Sequence, residues 1–284
     1  MSLPDVDFDA STCLVTGGTS GIGLAIAEEL IARGARRMVL VARNEKSLAS
    51  TAASLKEKTP GLDVRTIQAD LSEGDGPAKV HDQIKEWDWT VDILVNNAGF
   101  GRKYVFAQDP EKDTSMANVG VLVAAVVDSS LRFLPEMVKR GRGGILNVGS
   151  TGGYQPVPFT ASYAAGKAFV MTFSQGIRQE QLTMKTGVRI ACIVPGVTET
   201  NLDGEGRGET RGPISKVGID QPSDVAKVAV DAYEENAAAK IVGWNNYIFH
   251  AMQGVLPAST IAAGVAAARG KPGEERQEDK GFRG

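Results

Sequence analysis

The chain has 284 residues, 42% of them apolar and 23% charged, ordinary proportions for a soluble globular protein. Its 31 Lys and Arg against 34 Asp and Glu leave a net charge of -3, which argues against a surface made to hold a nucleic-acid backbone. Two histidines and two cysteines disfavour a multi-histidine metal centre, a Ser-His-Asp hydrolase or a disulfide framework. No metal site is expected, and Cys13 and Cys192, each inside an apolar run, read as buried thiols of a reducing, cytoplasmic compartment.

The first ten residues are acidic and lack the apolar run of a secretory signal. Residues 12–16 then predict a strand and 21–33 a helix with Leu24, Ala27 and Ile31 at helical spacing. Strand and helix follow at 37–41 and 45–58, at 64–68 and 76–87, and at 92–96 and 115–140. They follow again at 144–148 and 162–183, at 188–194 and 222–233, with a last short strand at 241–242. The strands are continuous Val/Ile/Leu runs, as a sheet covered on both faces requires. Repeated β-α-β units predict an α/β fold, a doubly wound, Rossmann-like parallel sheet. The chain reads as a single domain over 1–268 with a C-terminal helical extension at 241–268. That extension holds no charged residue and 18 apolar residues in 28. Asn245, Asn246, His250, Gln253 and Pro257 interrupt it, so it reads as packed or interfacial helices before a membrane span, with membrane contact the lesser alternative. Residues 203–213 (DGEGRGETRGP) read as a mobile surface loop, and 269–284, nine charged residues in sixteen, as a disordered tail.

The first strand runs directly into Thr16-Gly-Gly-Thr-Ser-Gly-Ile-Gly23 and a helix. Gly17, Gly21 and Gly23 let backbone approach a pyrophosphate at a helix N-terminus, whose free N–H groups and dipole favour an anion; Thr19, Ser20 and Ile22 belong to the same turn. About 20 residues on, an NAD-binding fold of this kind carries a carboxylate for the ribose 2′-OH. Here that place holds Ala42 and Arg43, and a guanidinium suits a 2′-phosphate. The expected cofactor is therefore NADP(H) ahead of NAD(H), the alternative being that Arg43 is a solvated loop arginine.

Tyr163-Ala-Ala-Gly-Lys167 puts a phenol and an ammonium on one helix face. A tyrosine of pKa ~10 must drop by roughly 2–3 units for acid–base work near neutrality, and a neighbouring cation acts in that direction. Ser150 ends a strand at the carboxyl edge of the sheet, where such folds bind ligands; it could polarise a substrate oxygen or merely cap a turn.

These residues, with Asp70-Leu71, Asn96-Asn-Ala-Gly99, Asn118 and Pro195-Gly196 followed by Thr200, resemble the short-chain dehydrogenase/reductase family in order and spacing from residue 12 to about 200. Ile145-Leu-Asn-Val-Gly-Ser150, Gln155-Pro-Val-Pro158 and Lys167-Ala-Phe169 look more like its branch of 17β-hydroxysteroid and 3-oxoacyl reductases. The resemblance implies a catalytic set of Asn118, Ser150, Tyr163 and Lys167. Tyr163 would exchange a proton with the substrate oxygen, Lys167 hold the nicotinamide ribose and lower the tyrosine pKa, Ser150 orient the carbonyl, and Asn118 anchor a water of a proton relay. It further implies Asp70 and Leu71 at the adenine, Asn97 with Ala98 and Gly99 beside the adenosine ribose, and Pro195, Gly196, Val197 and Thr200 at the nicotinamide. Gly149 departs from a frequent second serine, and Ser20 from a frequent basic residue, so Arg43 carries the NADP(H) expectation alone.

The implied reaction is hydride transfer between NADP(H) and a carbonyl or secondary alcohol of an apolar small molecule. Phe100, Gly101, Tyr104, Gly152, Tyr154, Pro156, Phe159 and the loop after Thr200 are candidates for the substrate side, each aromatic reading equally as core packing. The family's usual interface implies a homodimer or homotetramer through 115–140 and 162–183. The rival readings are a dinucleotide-binding regulatory module without turnover and a Ser150–Lys167 hydrolase; the latter lacks a GxSxG elbow.

Overall fold

Strands β1 (Thr12–Thr16), β4 (Ile93–Asn96), β5 (Gly144–Val148) and β6 (Arg189–Val194) are buried at every position, so both faces of the sheet they form must be covered. In the computed structural model, which describes residues 3–108, 114–198, 220–253 and 257–269, β2 (Arg37–Ala42), β3 (Asp63–Gln68) and β7 (Lys240–Ile241) complete that sheet. The order is β3-β2-β1-β4-β5-β6-β7 and every pairing is parallel. The doubly wound α/β architecture is thus the one expected.

Side chains alternate across the sheet as the pleat dictates. Cys13, Val15, Met38 and Leu40 join a core with α1 (Gly21–Ala32), α2 (Glu45–Lys58) and α7 (Pro222–Glu234). Leu14, Val39, Leu94 and Ile145 join another with α3 (Gly76–Glu86) and α5 (Ala125–Arg140). The helix expected at 115–140 is present in three pieces: α4 (Thr114–Val119), a π-helical turn Gly120–Ala124, and α5. A π turn inserts a residue and re-aims the side chains around it, here just after Asn118. The run Thr114–Arg140 is also the helix that, among the described residues, is long and apolar enough to cross a bilayer, but 44% of its apolar window is buried in the protein and it flanks the sheet.

A buried polar chain pins α6 (Ala161–Met184) to the sheet. Asn96 Nδ2 donates to Asn147 Oδ1 at 2.9 Å, and Asn147 Nδ2 donates to Ser174 Oγ at 2.8 Å. Satisfied networks of this kind fix a unique register, since any slip leaves buried polar groups unpaired. Ser174 lies two turns after Lys167 on the same face of α6, so the register of the helix that carries Tyr163 and Lys167 is set here. The C-terminal extension is helical, as α8 (Trp244–Gln253) and α9 (Ala258–Arg269). The loop at 203–213, Thr200 and the tail at 270–284 lie outside the described residues.

Candidate active site

The chain continues from β1 toward β3 on one side and from β4 toward β7 on the other, so a crevice opens where the winding reverses. The cleft there has a volume of about 620 Å³, within the ~300–1,000 Å³ usual for small-molecule sites. Gly17, Thr19, Ser20, Gly21, Ile22, Gly23, Arg43, Asp70, Leu71, Asn97, Ala98 and Gly99 all line it, bringing together twelve residues predicted from the sequence.

The glycine turn is held from below. Thr16 Oγ1 donates to the Val95 carbonyl at 3.1 Å and accepts the backbone N–H groups of Asn97 and Ala98 at 3.0 and 3.1 Å. Asn97 Nδ2 donates to the carbonyls of Thr16 and Gly17 at 2.9 and 3.3 Å. The Asn97 amide is therefore spent on the turn, and its place beside the cleft is that of a strut. A Cβ on Gly23 would lie 2.2 Å from the Gly17 carbonyl oxygen and 2.4 Å from Asn97 Nδ2, so only glycine allows this approach of helix to strand. Helix α1 starts at Ser20 with no side-chain cap bond and no acidic residue in its first turn. Its N–H groups and positive dipole are left for an anion from outside the protein.

Asp70 Oδ1 accepts the Ser72 backbone N–H at 2.9 Å and the Ser72 hydroxyl at 2.7 Å, a local turn that shapes the end of β3. Among the described residues lining the cleft, Asp70 is the one carboxylate, beside Arg43 and Arg102. Arg43 is exposed, its guanidinium 5.9 Å from the centre of the Phe100 ring, and Gln68 Nε2 donates to its carbonyl at 3.0 Å.

The second half of the site gathers at the ends of β5 and β6. Lys167 is 5% exposed and Nζ donates to the Val148 carbonyl at 2.7 Å, 5.9 Å from the centre of the Tyr163 ring. Burial lowers its ammonium pKa from 10.5 to about 8, partly opposed by Cys192, whose own thiol burial pushes up to about 11. Ser150 Oγ accepts the Gly152 N–H at 3.1 Å, so it does cap a turn, the 3-10 turn Thr151–Tyr154. Its hydroxyl proton stays available for a second bond. A methyl group on Gly152 would lie 3.5 Å from Ser150 Oγ and 3.9 Å from Tyr163 Cε1, which places these two side chains around one point. The Thr151 N–H donates to the Pro195 carbonyl at 2.9 Å, tying the serine turn to Pro195, Gly196 and Val197; Val197 is 40% exposed. Asn118 is 1% exposed; Nδ2 donates to Ser162 Oγ at 3.4 Å, and Oδ1 is buried with no partner among the described residues.

The structure divides the expected substrate side. Gly152 stands at Ser150 and Tyr163, and Phe100 and Gly101 line the cleft. Tyr104 is corrected: it is 5% exposed and its hydroxyl is shared between Ser115 Oγ at 2.5 Å and Ser162 Oγ at 3.0 Å, which makes it a brace between α4 and α6. Tyr154 and Pro156 line a separate apolar groove of about 480 Å³ against Ala161, Ala165 and Ala168 of α6, and Tyr154 stacks on His250 with ring centres 3.8 Å apart. Phe159 holds a left-handed φ of 69°. The Val148 carbonyl that anchors Lys167 was missed, because a strand carbonyl 19 residues upstream carries no side-chain signal.

Fold and cleft together define a dinucleotide-binding oxidoreductase. The short chain dehydrogenase family model matches residues 11–210, and the chain belongs to that family, whose members are NAD(P)-dependent enzymes. It is 33% identical over 252 residues to the very-long-chain 3-oxoacyl-CoA reductase of Mus musculus, covering 86% of this chain and 73% of that one. It is 30% identical over 231 residues to an uncharacterised oxidoreductase of Staphylococcus saprophyticus (81% and 94%). Among solved structures, a short-chain dehydrogenase from Sphingobium yanoikuyae in complex with NADPH matches with TM-score 0.74 at 26% identity (94% and 99%). The L-sorbose reductase of Gluconobacter frateurii, complexed with NADPH and L-sorbose, matches with TM-score 0.70 at 30% identity (84% and 97%).

Proposed function

We propose that the protein is an NADP(H)-dependent carbonyl reductase of the cytoplasm, with Tyr163 as general acid/base and a 3-oxoacyl thioester as its substrate class. The carrying observation is the buried Lys167 beside Tyr163, at the same edge as Ser150. The nicotinamide supplies the hydride when bound. Ser150 donates a hydrogen bond to the substrate oxygen, and Tyr163 delivers the proton to it as charge develops. Lys167 spends one N–H on Val148; the others hold the ribose and keep positive charge beside the phenol. Asn118 holds a water of the proton relay, a role its unpaired buried Oδ1 supports. The nicotinamide end lies against the turn of Pro195, Gly196 and Val197, and Thr200 follows it in the chain. Arg43, exposed at the mouth of the cleft, binds the 2′-phosphate. The substrate class is supported by the relatives named very-long-chain 3-oxoacyl-CoA reductases and by the mostly apolar groove along residues 153–158. Exposed Met116, Val119, Leu131, Leu182 and Met184 support self-association through α4–α5 and α6, which light scattering of the purified protein checks.

The test is reduction of 3-oxoacyl thioesters of graded chain length, beside a panel of simple ketones, with NADPH and NADH in parallel. Turnover with NADPH supports the reading. Dinucleotide binding without turnover of any carbonyl would replace it with a regulatory role, and turnover of ketones alone would remove the thioester.

A further inference from the structure

The C-terminal extension meets the catalytic edge at Gly196. The side-chain amide of Asn246, in the first turn of α8, packs flat against that glycine: a Cβ there would lie 2.3 Å from Nδ2 and 2.6 Å from Oδ1. Asn246 Nδ2 donates to the Val242 carbonyl at 2.7 Å and to Asp220 Oδ2 at 3.3 Å. Asp220 then closes the arrangement. Its N–H donates to the Val197 carbonyl at 3.0 Å, and it bridges Thr198 in parallel. Desolvation raises its carboxyl pKa, opposed by hydrogen bonds from Asn246 and the Gly196 backbone. Thr198 Oγ1 donates to the Gly196 carbonyl at 3.3 Å. Residues 220 and 246 thus form one hydrogen-bonded clamp on the backbone of residues 196–198.

An apolar residue at 246 would serve to seat α8. A half-buried amide bonded to a desolvated carboxylate instead fixes direction and register, because a displaced turn leaves both groups without partners. We propose that Asn246 and Asp220 are positioning residues for the nicotinamide end of the cofactor, which makes the C-terminal extension part of the cofactor site. This rests on the placement of the nicotinamide at the 195–197 turn given above.

The full chain tests it with two variants and two ligands. Asn246→Leu keeps the side-chain volume and removes the amide; Asp220→Asn keeps the shape and removes the charge. Binding is titrated with NADPH and with 2′-phospho-ADP-ribose, which lacks the nicotinamide; if the wild-type protein prefers NADH, NADH and ADP-ribose replace them. Asn246→Leu is expected to weaken dinucleotide binding about tenfold and the fragment less than about twofold, the scale of one lost hydrogen bond in a buried site. Asp220→Asn should weaken the dinucleotide alone by about threefold, and in both variants KM for the cofactor should rise by more than kcat falls. Equal weakening of both ligands would mark a general structural fault and overturn the proposal, as would dinucleotide binding unchanged in both variants. Should Asn246→Leu not fold, Asn246→Ser and Asp220→Asn carry the same comparison. Failure of the wild-type protein to reduce thioesters would remove the substrate reading and leave these binding results standing.

Discussion

The two halves of the cleft are held by different kinds of contact. Along β1 to β3 the walls are mostly backbone: a glycine turn, an uncapped helix end and the Asp70–Ser72 turn, with Asn97 reaching across from the end of β4 as a strut. Along β4 to β6 the working groups are side chains brought from distant segments, with Lys167 held on a strand carbonyl, Ser150 capping a 3-10 turn, and Gly196 clamped from the C-terminal helix. The first half presents mostly backbone and suits a ligand component that is only held. The second half carries a buried ammonium, whose desolvation it must sustain to keep charge near a phenol.

Substitutions separate the halves. The largest effect is expected for Tyr163→Phe, which should cut kcat by about 10³-fold, the scale of one general acid–base group, while NADPH titration gives an affinity within about twofold of wild type because the lost hydroxyl is not a principal contact of the dinucleotide. Retained turnover would remove the assigned proton donor. Gly23→Val acts on the other half: with its Cβ forced against the Gly17 carbonyl and Asn97 Nδ2, the turn must open, and dinucleotide affinity should fall by more than about 100-fold. A wild-type affinity would show that the turn does not carry the phosphates. Arg43→Asp should move the ratio of kcat/KM for NADPH over NADH by about 10–100-fold toward NADH, the worth of one charge-assisted contact. An unmoved ratio ends the 2′-phosphate assignment.

A further effect is on stability. Lys167 titrates near 8 in the folded protein and near its ordinary 10.5 when unfolded. Between those values the unfolded chain holds more protons, so stability rises as pH rises, and the desolvation cost is fully present below pH 8. The change is on the order of 3 kcal/mol. Urea denaturation of the ligand-free protein at pH 7.5 and 10, with Lys167→Met as the reference lacking this group, reads the difference; equal slopes in the two proteins would show that burial does not depress the lysine.

Much of this was legible in the residues. Continuous apolar strands alternating with helical runs specify a parallel sheet, and the glycine turn between the first strand and helix is where that sheet opens its cleft. Tyr163 and Lys167 are four apart on one helix, so helical periodicity alone puts them together. Other features were not legible. Tyr104 reads equally as a pocket aromatic or as packing, and the structure settles it as a brace, because its hydroxyl meets Ser115 and Ser162 only once α4 and α6 are packed. Asp220 and Asn246 carry no motif, and they meet across 26 residues of chain.

What the sequence determined by itself is whatever depends on neighbours within a helical turn or a strand: the fold class, the phosphate turn and the Tyr163–Lys167 pair. What only the tertiary structure decided is which polar groups share a buried space, the Lys167–Val148 anchor, the Asn96–Asn147–Ser174 chain and the clamp on Gly196. Local propensity and periodicity act over a few residues, whereas desolvation and hydrogen bonding depend on which distant segments the packed sheet brings within about 3 Å of one another.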